Sequence, residues 1–129
     1  MTTTQPWINE PSELRWVDDA TGLTCMIRRH PRLGHLCGYV VIPKSHPWHG
    51  KDYDEIDDKV QVHGGITYGQ FEKDYGNEYR IGFDCAHLGD LVPTDLLIAS
   101  SLARGEYRDI GYVTAECESL ARQVLGAAE

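Results

Sequence analysis

The sequence predicts an α+β fold, in which an antiparallel sheet of about five strands carries a C-terminal amphipathic helix packed on it. Short strand-like segments separated by turn residues predict the sheet, and apolar residues at three- and four-residue spacing near the end predict the helix. The length of 129 residues fits a single domain over residues 1–129. Residues 1–12 are polar and contain proline, so they are expected to form an irregular N-terminal arm.

The strands follow from the local pattern. In the first part of the chain they are expected over residues 13–17, 23–28 and 36–42. Turns at residues 18–22 and 30–34 would join them as hairpins, and Pro43 ends the third strand. Further on, strands are expected over residues 59–62, 66–68 and 79–85.

The connecting segments are less regular. Residues 43–59 form a long connection with one helical turn over residues 52–57, and residues 70–78 are polar with a turn signal at Gly76-Asn77. Thr94 is a candidate N-cap for a short helix over residues 95–102.

The last helix has the clearest pattern in the chain. Its apolar stripe consists of Ile110, Val113, Cys117, Leu120, Ala121 and Val124. Asp109 is placed to cap its N-terminus, and Gly126 is placed to follow its C-terminus as the C′ residue. The stripe should lie against the sheet.

Composition excludes some classes of partner. The net charge is −8 and the 12 Lys and Arg residues are scattered, so direct nucleic-acid binding is not expected. An acidic chain can instead dock on a basic protein surface. The N-terminus has no signal-peptide pattern and no segment is apolar enough to span a membrane, so we expect a cytoplasmic protein. Its four cysteines show no CxxC spacing and should be reduced.

Chemically versatile side chains gather among glycines in the middle of the chain. The candidate ligand-binding residues are His63, Gly64, Gly65, Asp84, Cys85, His87 and Asp90. Strand alternation would place Cys85 and His87 on one face. His63, at the end of a neighbouring strand, would join them, and Asp90 would either orient a histidine or be a fourth metal ligand.

Four interpretations of these residues stay open. His63, Cys85 and His87 could bind zinc, although their spacing matches none of the common zinc signatures. Cys85 could be a nucleophile activated by a histidine. The histidines and Asp84 or Asp90 could line a pocket for a ligand without metal. In the structural interpretation, the histidines are hydrogen-bonded for stability alone and Cys85 belongs to the core.

Several distinctive short motifs lie between residues 36 and 122. They include Gly38-Tyr39-Val40, His46-Pro47, His63-Gly64-Gly65-Ile66-Thr67-Tyr68, Gly82-Phe83-Asp84-Cys85-Ala86-His87-Leu88-Gly89-Asp90, Tyr107-Arg108-Asp109 and Glu116-Cys117. These blocks resemble a family of phage and prophage proteins. Where that family often carries a tryptophan, before the Gly-Phe-Asp block, this chain has Asn77-Glu78-Tyr79-Arg80, so that edge of a pocket should differ. The resemblance implies a phage setting and a shared central site, and it implies no reaction.

These observations favour a small acidic binding protein of phage or prophage type. Its partner would be a host or defence protein, or a small-molecule ligand, and interference with host or defence machinery is the expected role. If the protein is phage-encoded, it would act in the cytoplasm of the host cell. The alternative is a metal-dependent hydrolase with His63, Cys85 and His87 at its centre.

Overall fold

A computed structural model describes residues 7, 9–87, 89–93 and 105–128, and it confirms the predicted α+β fold. Its elements are β1 (Glu13–Val17), β2 (Thr24–Arg29), β3 (Leu36–Ile42), α1 (Tyr53–Asp57), β4 (Tyr68–Glu72), β5 (Glu78–Asp84) and α2 (Ile110–Ala127). The five strands form one antiparallel sheet in the order β1-β2-β3-β5-β4. A short 3-10 helix, Lys73–Tyr75, joins β4 to β5. Among the described helices, none has the length and apolar character needed to cross a membrane.

The sheet has two different faces, because successive side chains of a strand point to opposite sides. In the central strand β3, Leu36, Val40 and Ile42 are buried on the side that α2 covers. Cys37 and Tyr39 point to the opposite side, which we call the far face. Residues of β2 and β5 that pair with a β3 residue point to the same face as that residue. The register of these pairs therefore determines which side chains are neighbours on each face of the sheet.

Helix α2 packs tightly on the sheet. The predicted stripe is confirmed: Val113, Cys117, Leu120, Ala121 and Val124 are fully buried, and Ile110 is half-buried. Gly38 of β3 makes the close approach possible. A Cβ added there would lie 2.5 Å from the Phe83 ring and 2.7 Å from Cys117 Sγ. Asp109 caps the helix as predicted, since its carboxylate accepts a hydrogen bond of 2.8 Å from the Tyr112 amide.

Charged residues hold together one end of the far face. Arg80 in β5 is 1% exposed and donates from Nε to Glu78 at 2.9 Å. Glu78 also receives two hydrogen bonds from Arg15 of β1, at 2.8 and 2.7 Å. The Tyr75 ring covers this group, with its centroid 4.4 Å from the Arg80 guanidinium. A buried arginine is thereby paired with a carboxylate and an aromatic face.

The structure corrects two predicted strands. Residues 59–62 form no strand, and the strand predicted over residues 66–68 is displaced along the chain. The edge strand β4 begins at Tyr68 and covers the polar segment up to Glu72. An edge strand is exposed on one side, so its sequence need not alternate clearly. The backbone of Gln61 is instead hydrogen-bonded to the side chain of Gln123 in α2, at 2.7 Å to Oε1 and 2.8 Å to Nε2.

Some predicted boundaries also differ. Gly126 lies inside α2, and the residue that follows the helix, Ala128, has a right-handed conformation, so the predicted C′ role of Gly126 is wrong. Strand β5 ends at Asp84, one residue before the predicted end at Cys85. The helix predicted over residues 95–102 lies outside the described residues, as do residues 1–6 of the predicted N-terminal arm.

We expect Leu120→Asp to unfold the protein, because it would place a carboxylate without a partner in the core beneath α2. The free energy of unfolding should fall by more than about 4 kcal/mol, which is the range of the most damaging core substitutions. Urea denaturation followed by circular dichroism would measure it. Leu125→Asp is the matched control on the same helix, since Leu125 is 38% exposed. Equal stability of the two variants would contradict this packing of α2.

Candidate functional site

The structure brings His63 and His87 together. Their ring centroids are 6.0 Å apart in an edge-to-face arrangement. Each is on a loop: His63 lies between α1 and β4, and His87 lies just after β5. We call His63, His87, Asp90, Arg108 and Tyr112 the His63 cluster. Its members come from three loops and the first turn of α2, so it joins these parts of the chain at one point.

The His63 ring is held at both nitrogens. Nδ1 lies 2.8 Å from the Tyr112 hydroxyl, and Nε2 lies 2.7 Å from Asp90 Oδ2. The backbone amide of His63 donates to Glu116 at 2.8 Å. Two side chains of α2 and one carboxylate therefore fix both the position and the plane of the ring.

Asp90 is hydrogen-bonded to three other members of the cluster. Its side chain is 1% exposed, and Oδ2 accepts a second hydrogen bond, of 3.0 Å, from the His87 amide. Oδ1 accepts from Arg108 Nε at 2.8 Å. Burial alone would raise the pKa of Asp90, but hydrogen bonds from His63, Arg108 and the His87 amide outweigh it and hold the pKa below its usual value. A buried, ionised carboxylate thus connects three segments.

The His87 ring packs against Gly64, where a side chain would occupy the position of the ring. A Cβ added at Gly64 would lie 2.2 Å from two atoms of the His87 ring, and Gly64 has a φ of +70°. Gly65 meets Asp57 at the end of α1, whose Oδ1 accepts a hydrogen bond of 2.8 Å from the Ile66 amide. The two glycines are therefore required by the approach of neighbouring side chains.

His87 also connects the cluster to Asp84. Its Nε2 lies 3.2 Å from Asp84 Oδ1, but the direction is not that of a hydrogen bond, and among the described residues this buried nitrogen has no hydrogen-bond partner. The contact is electrostatic, and it is attractive when the imidazole is protonated.

Cys85 is a core residue whose thiol interacts electrostatically with Asp90 of the cluster. It is 1% exposed and belongs to the hydrophobic core, and its amide donates to Leu36 at 3.1 Å. Burial raises the pKa of the Cys85 thiol far above its usual value. A neutral, buried thiol is not an activated nucleophile, because the thiolate is the reactive form. Alternation along β5 does not set the relation of Cys85 to His87, because the strand ends before both of them.

The predicted zinc site stays a prediction. Among the described residues, no group of three or more His, Cys, Asp or Glu side chains is arranged to hold a metal ion. Zinc binding to His63 would have to displace either Tyr112 or Asp90 from a ring nitrogen.

A cavity of about 310 Å³ opens on the far face, beside the turn that follows β5. The residues that line it include His30, His35, Cys37, Tyr39, Tyr68 and Asp84. Of the predicted ligand-binding residues, Asp84 alone is among those that line this cavity. The volume is at the lower end of the range typical of small-molecule sites.

Two polar side chains of the cavity are unusual. Asp84 accepts from Thr67 Oγ1 at 2.9 Å and from the Ala86 amide at 3.1 Å, which leaves further lone pairs on both oxygens. His35 is 4% exposed, stacks on His30 at 4.9 Å, and has a buried Nδ1 without a hydrogen-bond partner among the described residues. Burial lowers the pKa of His35, so its ring is neutral near pH 7.

The sequence analysis did not single out His35 and Tyr39, which line this cavity. Residues 36–42 are nearly all apolar, so their polarity does not distinguish the side chains of β3 that point to the far face from those that point to the core. The available signal was the two-residue period, which places Cys37 and Tyr39 opposite Leu36 and Val40.

The chain matches no protein-family model, no curated protein and no solved structure with which it was compared. The resemblance to phage and prophage proteins therefore stays a prediction.

We expect Gly64→Ala to destabilise the protein more than Gly22→Ala. Both glycines have a similar positive φ, +70° and +74°, so the backbone cost is shared, but a Cβ at Gly22 meets nothing within 4 Å. The additional loss at Gly64 should be at least about 1 kcal/mol, because the His87 ring must move. Urea denaturation of the two variants would measure this loss. Equal losses would show that His87 does not need this space.

The stability that Asp90 provides should depend on pH. Its folded pKa is below the unfolded value, so the contribution is fully present above that value and is lost as the pH falls through the folded pKa. We expect Asp90→Asn to cost about 2 kcal/mol at pH 7, and the difference from the native protein to shrink below about pH 4. Urea denaturation across this pH range, with the exposed Asp19→Asn as control, would test it. A difference that is constant with pH would contradict the role of Asp90.

Proposed function

We propose that this chain is a phage-type binding protein that holds a small polar ligand in the far-face cavity and thereby withholds it from host or defence machinery. The observation that carries the proposal is Asp84, a carboxylate in the wall of the cavity. Each of its oxygens accepts one hydrogen bond, from Thr67 or from the Ala86 amide, and keeps a further lone pair. A ligand with N–H or O–H donors would bind these lone pairs, against a wall that also contains the rings of His35 and Tyr39.

The groups in the cavity wall support ligand binding more than catalysis. Asp84 is positioned by Thr67 and by the Ala86 amide, and aromatic rings surround it. In the His63 cluster, by contrast, both ring nitrogens of His63 are hydrogen-bonded to other parts of the chain, to Tyr112 and to Asp90. This supports a structural role for His63. The metal-dependent hydrolase stays an alternative prediction, and no arrangement among the described residues favours it.

The charge of the chain fits a small ligand better than a polyanion. With a net charge of −8, a long nucleic acid would be repelled, whereas a small ligand depends on the local groups of the cavity. Direct nucleic-acid binding is therefore not part of the proposal.

The test is a ligand screen by NMR on the ¹⁵N-labelled protein, with mixtures of polar fragments. We expect hits to shift the amides of Cys37, Tyr39 and Asp84, since these residues line the cavity. Cys37→Trp should abolish the shifts by filling the cavity. Val17→Trp is the control, because Val17 lies on the edge strand β1 and is 60% exposed. Shifts that persist in Cys37→Trp, or the absence of any hit in the native protein, would contradict the proposal.

A further inference from the structure

The far-face cavity lies on a row of side chains that carries opposite charges at its two ends. Arg28 of β2 pairs with Cys37 of β3, and Cys37 pairs with Asp84 of β5. Directly paired residues point to the same face, and neighbouring strands are about 4.8 Å apart, so the Cα atoms of Arg28 and Asp84 are roughly 10 Å apart. Burial raises the pKa of the Cys37 thiol to about 11, so the middle of the row is uncharged at neutral pH.

A second cavity continues the first towards the arginine. Its volume is about 180 Å³, and Arg28 is among the residues that line it. His30, Cys37 and Tyr39 line both cavities, so the two adjoin along a shared wall. A ligand that occupied both would place one end near Arg28 and the other near Asp84.

Aromatic rings border the row on both sides. On one side Tyr39 and Tyr68 meet edge to face, with centroids 5.2 Å apart, and the Tyr39 ring lies over Gly82. On the other side, His30 and His35 are stacked, and the His30 amide donates to the His35 carbonyl at 2.8 Å. Rings at this spacing offer flat faces and edges to a planar heterocycle.

We propose that the ligand is a free guanine mononucleotide, an inference that rests on the proposed function and names its ligand class. The guanine edge presents two adjacent N–H donors, N1 and N2, which match the two carboxylate oxygens of Asp84. The base would stack against the aromatic rings, and its phosphate would bind the Arg28 guanidinium.

Adenine and a nucleic-acid strand fit less well. Adenine presents one amino group and no N1–H donor, so it would leave one Asp84 oxygen without the second hydrogen bond. A strand adds phosphates that the net charge of −8 repels, whereas a single phosphate needs one arginine. A free mononucleotide therefore agrees with both the local groups and the overall charge.

Isothermal titration calorimetry on the native protein tests the proposal with GMP, AMP, guanosine and a short G-containing oligonucleotide. We expect GMP to bind at least about tenfold more tightly than AMP, which lacks the second donor, and than guanosine, which lacks the phosphate. The oligonucleotide should bind no more tightly than GMP. Native-protein titrations need no variant, so this comparison does not depend on a mutant that folds.

Two variants assign the contacts. Asp84→Asn should remove the preference for GMP over AMP, and Arg28→Ala should remove the preference for GMP over guanosine. Arg122→Ala is the charge-matched control, because Arg122 is exposed on α2, on the other side of the sheet, and should bind GMP as the native protein does.

The outcomes separate this inference from the proposed function. If the NMR screen finds ligands in the cavity but GMP produces no binding heat, the nucleotide class is wrong and the proposed function stands. If neither fragments nor nucleotides bind, both are wrong. If GMP binds with affinity that neither Asp84→Asn nor Arg28→Ala changes, the assigned site is wrong.

Discussion

The central strand β3 faces two environments, and the organisation of the protein depends on this alternation. Its inward residues, such as Val40, are sealed by α2, and Gly38 allows the helix to approach the sheet closely. Its outward residues, Cys37 and Tyr39, line the cavity on the far face. A shift of one residue in register would exchange the two sets. The same packing that stabilises the core therefore places the residues that line the far-face cavity.

The His63 cluster supports this surface from the side. Asp90 fixes the loop after β5 through the His87 amide, and the His87 ring lies beside Asp84 at the edge of the cavity. The loop also joins α2 through His63 and Tyr112. The hydrogen bonds of the central motif thus hold the loop after β5 in place, and the groups proposed to meet a ligand lie next to this loop on the far face.

Sequence patterns predicted most of the fold, because β1 and α2 have strong periodicity and β3 is a run of apolar, strand-forming residues. Asp109 has the chemistry of an N-cap. The edge strand β4 was missed because it has one neighbour and little burial. The proximity of His63 and His87 was predicted. Its cause is the hydrogen bonding of a loop to Asp90, which strand alternation cannot indicate. The cavity was also missed, since it depends on which strands become neighbours in space, and β3 pairs with β5 across a long connection.

Isotope-filtered NOE measurements on the labelled protein with unlabelled GMP would test most directly whether the far face of the sheet holds a small ligand, because they report which side chains touch the base. We expect contacts from the guanine H8 proton to the ring protons of Tyr39 or Tyr68, on the far face. Contacts confined to α2 or to the His63 cluster, or none at saturating GMP, would contradict it.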